Sequence, residues 1–424
     1  MSRVSLLRGF EMTEMKYTVS KEGIKLYNYR WVIIACMFVV HCCLNGALLI
    51  LGGAALNVMS AFELDPQGFS LCMSVSFLTG AILGIPSGTL ADRIGIRKVM
   101  ILGLVVATIG AVWRVFAVDF WTLFLSSFVM GVALAALNAN SAKLLRLWFP
   151  GRFMSVGMGI YVAGATVGSA TAIACGQFVD IHAAFIVLAV LLGICVVVWA
   201  VFCKTHPDGE GGVNEPVFEH IGVVCRSKGL WITCILMFLI MGLSLTENGF
   251  QVAALTSPAA AGGLAWDPVL AATLTSATNV CVSIGGVLIP AIAARINKVK
   301  PVFIPAAFAM ALLVAIAWFC GNPIITFVCF LCQGVLMGGV IPIGKTMPGL
   351  LPDIKPEHMG AAGGLQSTCQ NLGAFIVPSY IVTPLAGSNY TSIFIGVIVL
   401  CILIGLVGFA HKETGATPAH DRTE

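Results

Sequence analysis

Apolar residues in this chain come in long runs separated by short polar breaks. Runs begin near Trp31, Ser70, Val99, Phe120, Phe153 and Ala183; a polar, charge-mixed stretch from Lys204 to Lys228 then interrupts. A second set begins near Leu230, Pro268, Val302, Pro323, Met359 and Ser392. A helix crosses the hydrocarbon core of a bilayer with about 20 such residues. The pattern predicts an all-α membrane protein of twelve transmembrane helices, arranged as six, a linker, and six. The expected parts are a cytosolic arm (1–30), an N-terminal bundle (31–203), a cytosolic linker (204–228), a C-terminal bundle (229–411) and a cytosolic tail (412–424). Length agrees, since 424 residues at roughly 35 per span and connection give about twelve spans.

Composition removes the alternatives. A mean hydropathy of +0.98 with 58% hydrophobic and 10% charged residues excludes an ordinary soluble domain. The net charge of +4 is small, so its placement matters more. With the N-terminus in the cytosol, every one of the 23 Lys and Arg residues except Arg114 falls in a cytosolic loop, tail or helix end. The outer connections instead carry Glu63, Asp65, Asp119, Asp180 and Asp267. This is the positive-inside bias, and a miscounted helix before the linker would destroy it. No apolar stretch precedes Trp31, so residues 1–30 read as a cytosolic arm, not a cleavable signal. The fifteen cysteines lie mostly within apolar runs and read as small hydrophobes. Cys329 and Cys332 form a C-x-x-C on a spanning helix without a second ligand pair, so no metal or other cofactor is expected.

The two halves are related by a shift of 202 residues. It pairs Gly84 with Gly286, Arg93 with Arg295, Lys98 with Lys300, Lys143 with Lys345 and Pro150 with Pro352. A shift of 203 pairs Asn45-Gly46 with Asn248-Gly249 in the first and seventh helices. Duplication makes two pseudo-symmetric six-helix bundles the expected architecture.

The connection between the second and third helices, Gly84 to Lys98, reads GIPSGTLADRIGIRK. Gly84 and Gly88 admit close helix approach, Gly95 a tight reversal, and Arg93, Arg97 and Lys98 mark a membrane face. Gly88, Leu90, Asp92, Arg93, Gly95, Arg97 and Lys98 resemble the G-x-L-x-D-R-x-G-x-R-K signature loop of the major facilitator superfamily. The resemblance implies alternating access. Helices one, four, seven and ten would line a central cavity; two, five, eight and eleven would form the contact between halves. Gly88, Asp92, Arg93, Gly95, Arg97 and Lys98 would form a cytosolic latch holding the outward-open state, with Asp92 near the N-terminus of helix eleven, around Glu357 to Gly360. The alternative is that the loop only orients the topology. The second copy of the loop, ending AIAARINKVK at Lys300, has lost the acid and the glycines. Glycines of helix five (Gly157, Gly159, Gly164, Gly168) are expected to face those of helix eleven (Gly360, Gly363, Gly364, Gly373).

Two family patterns are missing. Drug/proton antiporters carry Gly-Pro late in helix five, where this chain has Gly168-Ser169-Ala170; many proton-coupled members carry an arginine four residues before a helix-four glycine, where Ser127 precedes Gly131. GAVWR (Gly110 to Arg114) and NSAKLLRLWFPGR (Asn140 to Arg152) are similar to the cyanate and nitrate/nitrite porter-like branch and to haem/choline-type retrovirus-receptor transporters. The nitrate porters' Gly/Asn-rich helix-five motif and substrate arginine are not evident, which disfavours nitrate.

Ionisable side chains within a membrane are costly and mark candidate sites. Glu247, beside Asn248, is the acid deepest in an apolar run. It would bind a cationic group, take up a coupling proton, or act structurally at the outer mouth. Arg114 would snorkel or pair with Asp119; alternatively it attracts an anionic solute or pairs with Glu247. Lys143 and Lys345 are either topological anchors or an anion-attracting ring. The neutral polar set comprises His41 and Asn45 on helix one, Asn138 and Asn140 on helix four, and Tyr161 on helix five. It continues with Asn248 and Gln251 on helix seven, Thr275 and Asn279 on helix eight, Gln333 on helix ten, and Gln366, Gln370 and Asn371 on helix eleven. Such groups line a wet cavity or join helices; His41 is either a titrating group or a core histidine.

A transporter of a small polar organic solute in a lipid bilayer fits these features, with a proton or ion as the possible coupling partner. The alternatives are a porter for a small carboxylate or cyanate-like anion and a non-transporting sensor or receptor on the same fold. The chain has no nucleophile elbow, metal-ligand pair or nucleotide loop, which argues against an enzyme or ATP-driven pump. No basic patch suggests nucleic acid. Compact loops point to a prokaryotic inner membrane.

Overall fold

A computed structural model describes residues 17–19, 25–149, 154–176, 178–207, 222–351, 353–354 and 358–413. The centre of the linker, the end of the tail, Pro150, Arg152, Pro352 and Glu357 lie outside them. The spanning helices are α1 (Arg30–Gly53), α2 (Pro66–Ile94), α3 (Ile96–Val115), α4 (Phe120–Trp148), α5 (Met154–Gly176) and α6 (Ile181–Phe202). The second set is α7 (Lys228–Thr256), α8 (Pro268–Ile296), α9 (Lys300–Phe319), α10 (Pro323–Leu350), α11 (Met359–Ile376) and α12 (Tyr390–Ala410). Among the described residues, eleven helices are long and apolar enough to cross a membrane on their own. The exception is α11, rich in Gly, Gln, Ser and Thr. Pro378 removes a backbone donor, and the helix continues as a π-helical turn, Val377–Val382, then Thr383–Ala386. Within the expected arm, β1 (Tyr17–Val19) pairs antiparallel with β2 (Lys25–Tyr27).

The acids of the outer connections have a local role. Asp65, Asp119 and Asp180 accept backbone N–H groups at the starts of α2, α4 and α6, and Asp267 accepts from Val269 and Leu270 at the start of α8. A carboxylate there satisfies orphan donors and complements the helix dipole. At Asp119 the Thr122 hydroxyl and N–H hold the carboxyl below the usual aspartate range. Gly95, between α2 and α3, has φ 95°, a conformation that glycine adopts without strain.

The halves repeat one packing scheme. In the first, α1 packs on α5 and α6, α2 on α4, and α3 on α4 and α6; in the second, α7 packs on α11 and α12, α8 on α10, and α9 on α10 and α12. Between halves, α2 meets α11, α5 meets α8, and α1 meets α7. Large apolar side chains remain exposed around the outside, including Ile109 on α3, Val190 on α6, Leu312 on α9 and Leu406 on α12. These are surfaces for lipid.

The glycine expectation needs correction. A Cβ at Gly164 or Gly168 would meet the backbone of Phe38 or Cys42 on α1, and one at Gly373 the backbone of Phe238 on α7. These glycines tighten helix pairs within each half, whereas Gly159, Gly363 and Gly364 meet nothing within 4 Å. Small residues allow close backbone approach wherever the partner helix lies, so their spacing does not identify that partner.

The core is asymmetric across the seam. One apolar cluster joins Leu51, Ala54, Phe69, Met73 and Ile173 of the first half to Leu243, Phe250, Val252 and much of the second. These first-half residues lie toward the face opposite the termini. Nearer the termini, the first half has a separate cluster around Met37, Leu104, Leu145 and Trp199. The apolar core is therefore continuous across the seam on one face, whereas nearer the termini the first half keeps a core of its own.

Candidate functional site

The seal is built from close backbone approach and short side chains. Gly52 on α1 lies against the Asn248 carbonyl and Gly249 of α7. Phe69 on α2 meets Phe250 edge-on with ring centroids 5.5 Å apart. Ser379, in the π-helical turn, lies 2.9 Å from the Ser70 hydroxyl and 2.8 Å from that of Ser74. Ser276 on α8 donates to the Ala170 carbonyl of α5 at 3.0 Å. The serine clasp was not among the expected site residues; its available signal was the i, i+4 spacing of Ser70 and Ser74 on one helix face.

Below the seal, the polar residues gather in separate groups. His41 stacks on Tyr161, with ring centroids 4.0 Å apart and planes at 10°. Its Nδ1 lies 2.8 Å from the Tyr161 backbone carbonyl, so this nitrogen carries the proton of the hydrogen bond. Asn45, half-buried one turn further along α1, donates to the His41 carbonyl at 3.0 Å. On the other side, Asn279 of α8 donates to the Asn248 side chain at 3.1 Å. Gln366 of α11 donates to the Gly344 carbonyl of α10 at 2.8 Å. Asn138 and Gln370 are half-buried. Asn140 is fully buried and donates to the Ala136 carbonyl at 2.9 Å.

Glu247 is buried in the second half. Gln333 Nε2 on α10 lies 2.9 and 3.1 Å from its two carboxylate oxygens, and no cation pairs with it among the described residues. Gln333 was expected only as one member of the polar set; folding makes it the partner of the acid.

Arg114 is 3% exposed and neither snorkels nor pairs with Asp119 or Glu247. It donates to the Ala47 carbonyl at 2.6 Å and to the Ser127 hydroxyl at 2.7 Å, and lies 5.7 Å from the Phe185 ring. Gly110, one turn earlier, permits this inward turn: a Cβ there would meet the Ser126 carbonyl at 2.9 Å. Arg114 thus reaches Ser127, the helix-four position four residues before Gly131.

In the signature loop, Asp92 forms an ion pair with Lys143 of α4 at 2.7 Å, and Lys143 also donates to the Gly88 carbonyl at 3.3 Å. Arg97 donates to the Ala200 carbonyl of α6 at 2.5 Å. These interactions lie within the first half. Arg93 stands in the last turn of α2, and Lys98 in the first turn of α3. Part of the expected α11 partner region, including Glu357, is outside the described residues.

Comparison with known proteins agrees with this architecture. Residues 34–378 match the Major Facilitator Superfamily. A gallate transporter of Pseudomonas putida is 26% identical over 141 residues, 33% of this chain and 31% of that protein. A D-xylose transporter of Levilactobacillus brevis is 33% identical over 91 residues, 21% of this chain and 20% of that protein. The chain thus spans a third or less of these relatives. The solved structure of the nucleoside transporter NupG superposes with a TM-score of 0.73 at 16% identity, covering 91% of this chain and 100% of that one. By the extent of the family match and by its duplicated helical architecture, the chain belongs to the Major Facilitator Superfamily and is a multi-pass integral membrane protein.

Proposed function

We propose that the protein carries a small polar organic solute by alternating access, through the cleft beneath the Gly52–Asn248 and Ser379 seal. The observation supporting this is the asymmetric seam: one continuous apolar core closes one face, while polar side chains of both halves gather toward the other. With the termini in the cytosol of an inner membrane, the conformation is inward-facing. Rocking the halves about the polar layer would break the serine clasp and the Phe69–Phe250 contact, exposing the cleft to the opposite face.

The proposed solute site draws on Asn45, His41 and Tyr161 from one half and Asn248, Gln366 and Gln370 from the other, with Asn138 at its edge. Glu247 is the proposed coupling position, because a buried acid with one amide partner and no cation can answer to a proton or metal ion. Arg114 braces α3 against α1 and α4 in this reading. The signature loop acts as the latch, with Asp92 held by Lys143 when the cytosolic side is open.

The test is uptake into proteoliposomes, with and without an inside-alkaline gradient, for wild type and Glu247→Gln. The panel contains small carboxylates, cyanate, amino acids, choline and pentoses. Gradient-driven uptake that Glu247→Gln abolishes supports both transport and the coupling assignment. Uptake indifferent to the gradient and the substitution returns Glu247 to a structural role. Absence of flux for every solute counts against the transport reading.

A further inference from the structure

The duplication kept a lysine in both halves but its acid in only one. Lys143 and Lys345 are equivalent under the 202-residue shift, and the same shift carries Asp92 to Ala294. In the first half the charge is answered: Lys143 Nζ lies 2.7 Å from Asp92. In the second half the carboxylate is absent from the chain. Among the described residues no acid pairs with Lys345, although it lies five residues inside the end of α10.

Its position points toward the cleft. Lys345 is exposed while Gly344 and Ile343 beside it are buried. Gln366 of α11 donates to the carbonyl of the preceding residue, Gly344. Across the seam, His41 of α1 is near enough to experience the Lys345 charge. The ammonium therefore stands exposed on α10 beside the α10–α11 contact, on the side of the termini and within electrostatic range of His41 across the seam. An anchor serving only topology needs no such neighbours.

We propose that Lys345 receives a carboxylate on the transported solute, which replaces the acid lost at position 294. This rests on the alternating-access reading and adds a substrate class to it. While the cleft is open, water screens the ammonium. When the halves close on this side that water is lost, and an unpaired cation in a low-dielectric interior is costly. A bound carboxylate supplies the missing partner, so closure is favoured when the site is loaded. Carboxylate-for-carboxylate exchange should then be faster than net movement.

The experiment measures binding and exchange by purified protein, using lactate, benzoate and gallate with their neutral amides as probes. Wild type, Lys345→Gln and Lys345→Arg are compared, with the exposed Lys298→Gln as a second lysine variant. The proposal expects at least one carboxylate to bind while its amide does not. Lys345→Gln should weaken that binding about ten- to hundredfold, the range of a lost charge-assisted hydrogen bond. Lys345→Arg should retain most of it, Lys298→Gln should retain it, and counterflow should exceed net uptake. Unchanged binding in Lys345→Gln, equal binding of acid and amide, or no binding of any probe overturns the assignment. A separate readout, the distance between labels at Val118 and Ile324 on the sealed face, follows gating without solute. Gating with transport of a neutral solute would keep alternating access and reject the carboxylate; absence of both gating and flux would reject the underlying reading.

Discussion

Gly52→Ala should push the transporter away from its sealed-face conformation. A Cβ at Gly52 would overlap the Asn248 carbonyl oxygen and come within 3.2 Å of its carbon and 3.4 Å of Gly249 Cα. Every atom met is backbone of α7, so no rotamer change relieves the overlap; the helices must separate across the seam. Overpacking of this kind costs about 1–3 kcal/mol. Because the opposite conformation breaks this contact, that cost shifts the population ratio by about 5- to 150-fold. The neighbouring Gly53 supplies the control. Its Cβ would meet Ile173 Cα at 2.7 Å, on α5 of the same half, so Gly53→Ala should lower stability and leave the population unchanged. Gly249→Ala would meet the Met73 sulfur at 2.9 Å, and a flexible thioether can move aside. The assay is the distribution of label distances between Val118 and Ile324, which are 79% and 75% exposed and lie on different halves. A longer-distance population should grow in Gly52→Ala and not in Gly53→Ala, with Gly249→Ala between them. An unchanged distribution in Gly52→Ala, or an equal shift in Gly53→Ala, would refute the assignment of this contact to gating.

Ser379→Ala removes the hydroxyl that meets both Ser70 and Ser74. At about 0.6 kcal/mol per intramembrane hydrogen bond, the same distance measurement should move two- to eightfold toward the open-seal population. Gln333→Leu removes the amide of Glu247 and should lower stability by about 1–3 kcal/mol in a detergent melt; in a Glu247→Leu background the same change should cost much less. Asp119 contributes more stability as a charged cap because its folded pKa is depressed. That contribution is present above the ordinary aspartate range and disappears as pH falls through the folded value. The melting difference between wild type and Asp119→Asn should therefore shrink on acidification, and a pH-independent difference would contradict the role of charge.

Much of this protein was legible before folding. The all-helical membrane fold and its duplication depend on local quantities: the length of an apolar run and the spacing of repeated residues. The bilayer makes each of these decisive, because an unpaired backbone group or a misplaced lysine cannot be hidden in hydrocarbon. Even the acids of the outer connections follow, since a helix beginning at a membrane face needs a cap. The stretch beginning near Met359 was expected as a span like the others; only the folded chain shows α11 falling short of one and turning π-helical at Pro378.

Tertiary structure decided which polar groups meet. Rotation of a helix by a third of a turn separates a lipid-facing arginine from one bonded to Ala47 and Ser127, and both are compatible with GAVWR. The same rotation decides that Gly168 approaches Cys42 and not α11, and that Gln333 meets Glu247. The face on which the halves seal is a property of a two-state interface between distant segments, so no local pattern encodes which state is occupied. Lys345 shows the division most clearly. Sequence reveals that its symmetric acid is missing; only folding shows that no acid among the described residues pairs with it. Local chemistry sets what each helix is, whereas the geometry between helices determines which of their polar groups can act together.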